Sequence, residues 1–260
     1  MILDEILAAK QQEVEVAKGR LPLEELKGRL RSHVSQRSFR KALAQSGKLS
    51  LIAELKRKSP SSGMLRERFD PVSLAQQLQE AGASALSVLT DETFFGGSLE
   101  FLRDVQQFTE LPTLRKDFVI DPYQVYEAAY YQADAVLLIV QVLTEDQLTH
   151  CLEAALAVGV DALVEVHTKD DLDIALSVGA NLFGVNHRDL RTFTLDPDAT
   201  AHLVPKIPAG KLIVAESGVQ TREDIQRLKA LGVHAVLIGE ALMTAPDVSA
   251  KVRELFDGIW

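Results

Sequence analysis

Six polar residues of this chain belong to types that move protons and grip anions: Glu54, Lys56, Lys116, Glu165, Asn186 and Glu216. Two ammonium groups and three carboxylates can hold a charged ligand and exchange protons with it, and an amide can orient both. Each lies within or at the end of a short β-rich run: Leu51 to Lys56, Pro112 to Lys116, Ala162 to Val166, Leu182 to Asn186 and Leu212 to Glu216. Strand residues alternate sides, so Ile52, Glu54 and Lys56 share one face while Leu51, Ala53 and Leu55 share the other. One Glu–Lys pair of this kind fits a buried salt bridge as well as it fits function. Six polar residues on one rim change the balance, because desolvating so many charges is costly unless a ligand or a reaction uses them.

A second set points to an anion. Glu216-Ser217-Gly218 follows one β-rich run and Ile238-Gly239-Glu240 follows the next, with helical patterns near Thr221 and Pro246. Glycine lets backbone N–H groups approach a phosphate, and helix amino ends favour negative charge. Ordinary strand-to-helix turns share this composition; a position after the seventh and eighth strands of a barrel, where phosphate sites recur, favours function. The Glu240 carboxylate must then point away from the phosphate. Arg188, in Gly184-Val185-Asn186-His187-Arg188-Asp189-Leu190, either reaches the anion or pairs with Asp189. Phe94-Phe95-Gly96-Gly97-Ser98 and Phe118 either wall an aromatic pocket or anchor loops to the core. Lys58-Ser59-Pro60-Ser61-Ser62-Gly63 suits a mobile active-site loop or a plain exposed connection. His167 and His187 lack metal-ligand spacing, and His33, His150, His202 and His234 fall outside the strand ends, so no metal is expected.

Bringing these residues to one rim requires a particular set of elements. Further β-rich runs at Ala85 to Thr90, Ala135 to Val140 and Ala235 to Gly239 complete a set of eight that alternate with helical patterns, as an α/β protein of the (β/α)8 TIM-barrel class requires. Asp70-Pro71, Asp121-Pro122 and Asp196-Pro197 mark helix starts, Thr144 with Gln147 forms a capping box, and Gly82, Gly159, Gly179 and Gly232 mark helix ends. Ahead of the barrel, Ile2, Leu3, Ile6, Leu7 and Val14 at helical spacing, with Lys10, Glu13 and Glu15 between them, predict an amphipathic helix. A helix over Leu23 to Leu30, a polar stretch over 31–36 and a helix over 38–43 follow. The expectation is a single domain of 260 residues, with a helical extension over 1–48 packed on a barrel core over 49–260.

At 47% hydrophobic and 25% charged, the chain has the composition of a globular protein able to bury a core. A net charge of -9 without a basic run removes the electrostatic footprint of a nucleic-acid or anionic-membrane binder, so an anionic ligand needs a local basic cluster. The single cysteine, Cys151, excludes an intrachain disulfide and a multi-cysteine metal site. No apolar run approaches the roughly 18 residues of a spanning helix. Neither Gly-x-Gly-x-x-Gly after a strand nor Gly-x-Ser-x-Gly occurs, so a dinucleotide fold and a serine hydrolase lack their signatures. A cytoplasmic monomer is expected, with a weak dimer as the alternative.

Taken in order, Ile52-Ala53-Glu54-Leu55-Lys56-Arg57-Lys58-Ser59-Pro60-Ser61, Leu114-Arg115-Lys116-Asp117-Phe118, Gly184 to Leu190 and Val214-Ala215-Glu216-Ser217-Gly218 resemble indole-3-glycerol-phosphate synthase, the barrel enzyme family of tryptophan biosynthesis. The resemblance spans essentially the whole chain and implies the monofunctional form. It implies ring closure of 1-(2-carboxyphenylamino)-1-deoxyribulose 5-phosphate with loss of carbon dioxide and water, a phosphorylated small molecule as partner, and neither cofactor nor metal. By resemblance Lys116 is the general acid towards the ribulose carbonyl oxygen, Lys56 holds the anthranilate carboxylate, and Glu165 assists the later dehydration. Glu54, Asn186 and Glu216 would orient the lysines and substrate hydroxyls. Ser217, Gly218, Gly239 and Glu240 would cradle the phosphate, the last through its backbone, with Arg188 among the substrate-binding residues. Ser59 lies on the first loop, and Phe95, Phe118, Leu137 and Ile139 would wall the anthranilate ring.

Three other functions compete. Phosphoribosylanthranilate isomerase, another phosphate-binding barrel, is expected to lack the Glu-x-Lys and Arg-Lys-Asp-Phe strand ends. A Schiff-base aldolase would use Lys116 or Lys56 covalently. A non-catalytic barrel would keep the anion site as a sensor.

Overall fold

The computed structural model describes residues 2–30, 37–45, 47–192 and 194–260; the polar stretch over 31–36, with His33, lies outside them. Helices α1 (Ile2–Arg20), α2 (Leu23–Leu30) and α3 (Phe39–Leu43) precede eight parallel strands: β1 (Ser50–Leu55), β2 (Ala85–Leu89), β3 (Thr113–Lys116), β4 (Ala135–Ile139), β5 (Asp161–Val166), β6 (Leu182–Asn186), β7 (Leu212–Glu216) and β8 (Ala235–Ile238). β1 pairs with both β2 and β8, so the sheet closes into a TIM barrel. Between and after the strands lie α4 (Pro71–Glu80), α5 (Leu99–Phe108), α6 (Pro122–Tyr130), α7 (Glu145–Val158), α8 (Lys169–Ser177), α9 (Ala199–Leu203), α10 (Arg222–Ala230), α11 (Glu240–Met243) and α12 (Val248–Phe256). The sequence pattern does not reveal α11, whose four residues are too few for a period to register. Among the described residues no helix is long and apolar enough to cross a membrane.

Strand alternation divides the apolar core in two. Leu51, Ala53 and Leu55 pack under the helices with Leu74, Leu78 and Val252, while Ile52, Leu114, Leu163, Leu182 and Val214 fill the barrel interior. Leu3, Ile6, Phe39 and Leu43 join that inner cluster from the preceding helices. α3 sits at the amino-terminal rim, where the Ser50 hydroxyl donates to the Leu43 carbonyl at 3.4 Å and the Arg40 N–H to Asp161 at 2.9 Å. α1 lies beside α6, with the Tyr123 hydroxyl donating to the carbonyls of Ala17 (3.1 Å) and Leu21 (3.0 Å).

Most helix boundaries follow the local chemistry of the caps. Asp70 accepts from the N–H groups of Val72 and Ser73, and Asp121 with Gln124 and Thr144 with Gln147 complete capping boxes. Asp196-Pro197 departs from the expectation: α9 begins only at Ala199. The Asp196 N–H is drawn back to the His187 carbonyl at 2.7 Å, and its carboxylate accepts from Asp198 N–H at 3.0 Å, so the acid closes a turn ahead of the helix. Lys10 also departs from its expected place on the polar face of α1. Spacing puts it on the stripe of Leu3, Ile6 and Val14, and it is buried there with a relative exposure of 3%.

Candidate active site

The inward faces and carboxyl ends of the strands bring Glu54, Lys56, Lys116, Glu165, Asn186 and Glu216 around one cavity of about 290 Å3. Lys56 Nζ is 2.7 Å from Glu54 Oε1, and the Ser87 hydroxyl reaches Glu54 Oε2 at 3.5 Å. Lys116 Nζ stands 3.1 Å from Glu165 Oε2 and 3.2 Å from Glu216 Oε2. Asn186 Nδ2 donates to Glu165 Oε1 at 2.9 Å, while its Oδ1 accepts from the Arg188 N–H at 2.9 Å. The Lys116 ammonium approaches Glu216 off the line of a hydrogen bond, so among the described residues both buried Glu216 oxygens lack a hydrogen-bond donor.

Burial and charge pull these groups apart in proton affinity. Burial, only partly offset by Lys116, pushes the Glu216 carboxyl up to about 8. Burial works against the Lys116 ammonium, but Glu165, Glu216 and Glu54 outweigh it and hold the group above its ordinary value. Burial likewise opposes ionisation of Glu54, and Lys56 and Lys116 overcome it to hold that carboxyl below its ordinary value. The cavity therefore contains a firmly charged lysine beside a carboxyl whose proton affinity burial raises.

The remaining candidates line the same cavity: Ser59, Phe95, Phe118, Leu137, Ile139, Arg188, Ser217, Gly218, Gly239 and Glu240. Ser217 and Gly218 take successive left-handed conformations, φ +66° and +74°. For serine this costs about 1 to 2 kcal/mol. Among the described residues neither N–H has an acceptor, so both are available to an anion. The Glu240 carboxylate accepts from the Ser62 hydroxyl at 3.2 Å and so is turned towards the first loop. That loop is a short hairpin, Lys58–Ser59 against Gly63–Met64, rather than a plain connection, and Lys58 Nζ is held by the Thr93 carbonyl at 2.9 Å.

Phe95 and Phe118 lie with ring centroids 6.1 Å apart and planes at 39°, and with Leu137 and Ile139 they give the cavity an apolar wall. The Asp189 carboxylate accepts from the N–H groups of Arg191 (2.7 Å) and Thr192 (3.4 Å), while Arg188 lines the cavity. The two histidines serve the backbone around the site. His167 Nδ1 is 2.7 Å from the Asn186 carbonyl oxygen, and His187 bonds the Ser217 carbonyl at 3.0 Å and the Thr200 hydroxyl at 2.6 Å.

The family model for indole-3-glycerol phosphate synthase matches residues 3–255. The chain belongs to that family. An indole-3-glycerol phosphate synthase from Alkaliphilus metalliredigens (strain QYMF) is 41% identical over 259 residues, covering 100% of this chain and 99% of that one. One from Dehalococcoides mccartyi (strain CBDB1) is 46% identical over 259 residues, covering 98% of this chain and 100% of that one. Among solved structures, a 3-hexulose-6-phosphate synthase matches with a TM-score of 0.66 at 16% identity, over 82% of this chain and all of that one, a likeness of fold alone.

In this indole-3-glycerol phosphate synthase family member, several residues that spacing did not single out support the site. A Cβ at Gly184 would overlap Glu216 Oε1, and one at Gly239 would overlap Glu54 Oε1, so both glycines make room for a buried carboxylate. The signal for Gly184 was available as a glycine inside an apolar strand. Ser87 occupies an inward position of β2, where a hydroxyl among apolar neighbours marks a polar partner. Asp91 and Asp117 also line the cavity.

Proposed function

We propose that the chain closes the ring of 1-(2-carboxyphenylamino)-1-deoxyribulose 5-phosphate to indole-3-glycerol phosphate, releasing carbon dioxide and water. The observation that carries this function is the Lys116 ammonium between Glu165 and Glu216, in a cavity that also holds an aromatic wall and a left-handed Ser217–Gly218 turn. An ammonium has three N–H donors; Lys116 gives one to Glu165 and stands off line from Glu216, which leaves donor capacity for a ligand oxygen.

Lys116 gives its proton to the ribulose carbonyl oxygen as the ring carbon bearing the carboxylate bonds to the carbonyl carbon. Loss of carbon dioxide returns its bonding electrons to the ring. Glu165, oriented by Asn186, then assists departure of the new hydroxyl as water, while the methylene carbon beside the nitrogen loses a proton and the double bond of the new ring forms. Lys56, steadied by Glu54, holds the anthranilate carboxylate until it leaves. Glu216, whose oxygens have no hydrogen-bond donor among the described residues, bonds the substrate hydroxyls. Ser217, Gly218, Gly239 and the Glu240 backbone take the phosphate, with Arg188 adding charge. Phe95, Phe118, Leu137 and Ile139 flank the aromatic ring.

Purified protein given this substrate should develop indole fluorescence, and Lys116→Met and Glu165→Gln should each lose it while remaining folded. Borohydride added with substrate should trap no covalent adduct. A folded native protein that binds inorganic phosphate yet gives no product would overturn this function in favour of a phosphate sensor.

A further inference from the structure

The second buried ionic cluster of the molecule lies behind the aromatic wall and draws on α1. Lys10 Nζ is 2.9 Å from Asp117 Oδ1, 3.0 Å from Asp91 Oδ2 and 2.6 Å from Glu13 Oε2. Asp91 follows β2, and its other oxygen accepts from the N–H groups of Phe94 (2.8 Å) and Phe95 (3.2 Å). Asp117 directly follows Lys116 and accepts from the Phe118 N–H at 2.8 Å, the Thr90 hydroxyl at 2.6 Å and Arg115 at 3.1 Å. Lys10, Asp91 and Asp117 are 3%, 1% and 4% exposed. Among the described residues Asp91 Oδ2 has no hydrogen-bond donor, and Lys10 is the cation within ion-pair distance of it.

We infer that Lys10 is a positioning residue: from outside the cavity it clamps together the two carboxylates that set the backbone at Phe95 and at Phe118, next to Lys116. Without its charge, Asp91 loses its cation and faces Asp117, which keeps Arg115 alone, across the same space. They separate or one takes a proton, and either response moves the segments they hold. Misplacement of a reacting group by about 1 Å lowers turnover by as much as ~10²-fold. The inference rests on the proposed reaction, because the wall matters as the seat of the anthranilate ring.

Steady-state kinetics of the native protein, Lys10→Met, Lys10→Arg, Asp91→Asn and Val14→Ala test it, with inorganic phosphate as a competitive inhibitor. In Lys10→Met and Asp91→Asn, kcat should fall ~10-fold or more, while phosphate inhibition stays within about two-fold because the Ser217–Gly218 turn is untouched. Lys10→Arg should recover most of the lost turnover. Val14→Ala loosens the same buried stripe of α1 without touching the charges; it should melt earlier yet keep kcat within about two-fold. Native kcat in folded Lys10→Met, or in folded Asp91→Asn should Lys10→Met fail to fold, overturns the inference, as does a Val14→Ala loss equal to that of Lys10→Met. A native protein without turnover overturns the reaction and this inference together, whereas native turnover with unaffected variants overturns this inference alone.

Discussion

At Asp117 both carboxylate oxygens are met: Lys10 and the Phe118 N–H at one, Thr90 and Arg115 at the other. At Glu216, buried as deeply, neither oxygen has a hydrogen-bond donor among the described residues and one ammonium stands off line. The consequence appears in proton affinity. Burial opposes ionisation of Asp117, but Lys10 and Arg115 hold it well below the usual carboxylate range, whereas burial carries Glu216 up to about 8. A saturated cluster keeps one protonation state and one geometry at any working pH; an unsaturated one keeps capacity for a ligand. Under the proposed reaction, the difference fits the Asp117 cluster to holding the site and the Lys116–Glu165–Glu216 cluster to using it.

The largest effect expected lies on the second side of that divide. Lys116→Met should lower kcat by ~10² to 10⁴ with modest change in KM and an unchanged circular dichroism spectrum; a loss confined to KM would reduce Lys116 to a binding role. Asp117→Asn should instead act on stability, costing about 3 to 5 kcal/mol by urea unfolding near neutral pH. Because folding lowers the Asp117 pKa, its contribution is present above the unfolded value, near 3.8, and is lost as pH falls further; native and variant stabilities should converge in acid. Gly184→Ala sets a methyl group against Glu216 and should cost about 1 to 3 kcal/mol of stability while sparing phosphate binding; an unchanged melt would mean that Glu216 has room to move.

Glu216→Gln should show the opposite sign with pH. Folding raises this carboxyl from 4.5 to about 8, so the folded protein holds a proton the unfolded chain has released. That group's contribution to stability declines as pH rises across the interval, and the variant escapes the decline. Between about pH 5 and pH 9 the variant's melting temperature should fall by less than the native one, by ~2 to 4 °C for each kcal/mol involved.

The barrel and the rim were legible because β-rich runs report strand ends to within a residue, and strand parity then assigns an inward face to Glu54, Lys116, Glu165 and Glu216. The supporting cluster was not. Lys10 shares a helical stripe with Leu3, Ile6 and Val14, but a lysine among polar neighbours reads as solvated until the two carboxylates it meets are known, and those lie on loops after β2 and β3. Asp117 entered as one letter of a motif, with nothing in the sequence to show that it binds backwards to α1. Asp196 failed for the same reason in miniature: the His187 carbonyl that draws it from the helix start is a tertiary partner. Periodicity reports which side a residue faces, and it is silent on what waits there.

Carbon-13 NMR of protein labelled at the side-chain carboxyls, with Glu216 and Asp117 assigned through Glu216→Gln and Asp117→Asn, tests the contrast most directly. Over a titration from about pH 5 to pH 9.5 the Glu216 signal should move with a midpoint near 8 while Asp117 stays ionised throughout. Both carboxyls ionised from the lowest pH, or Asp117 taking up a proton within the range, would contradict the division of the two clusters into one that acts and one that holds.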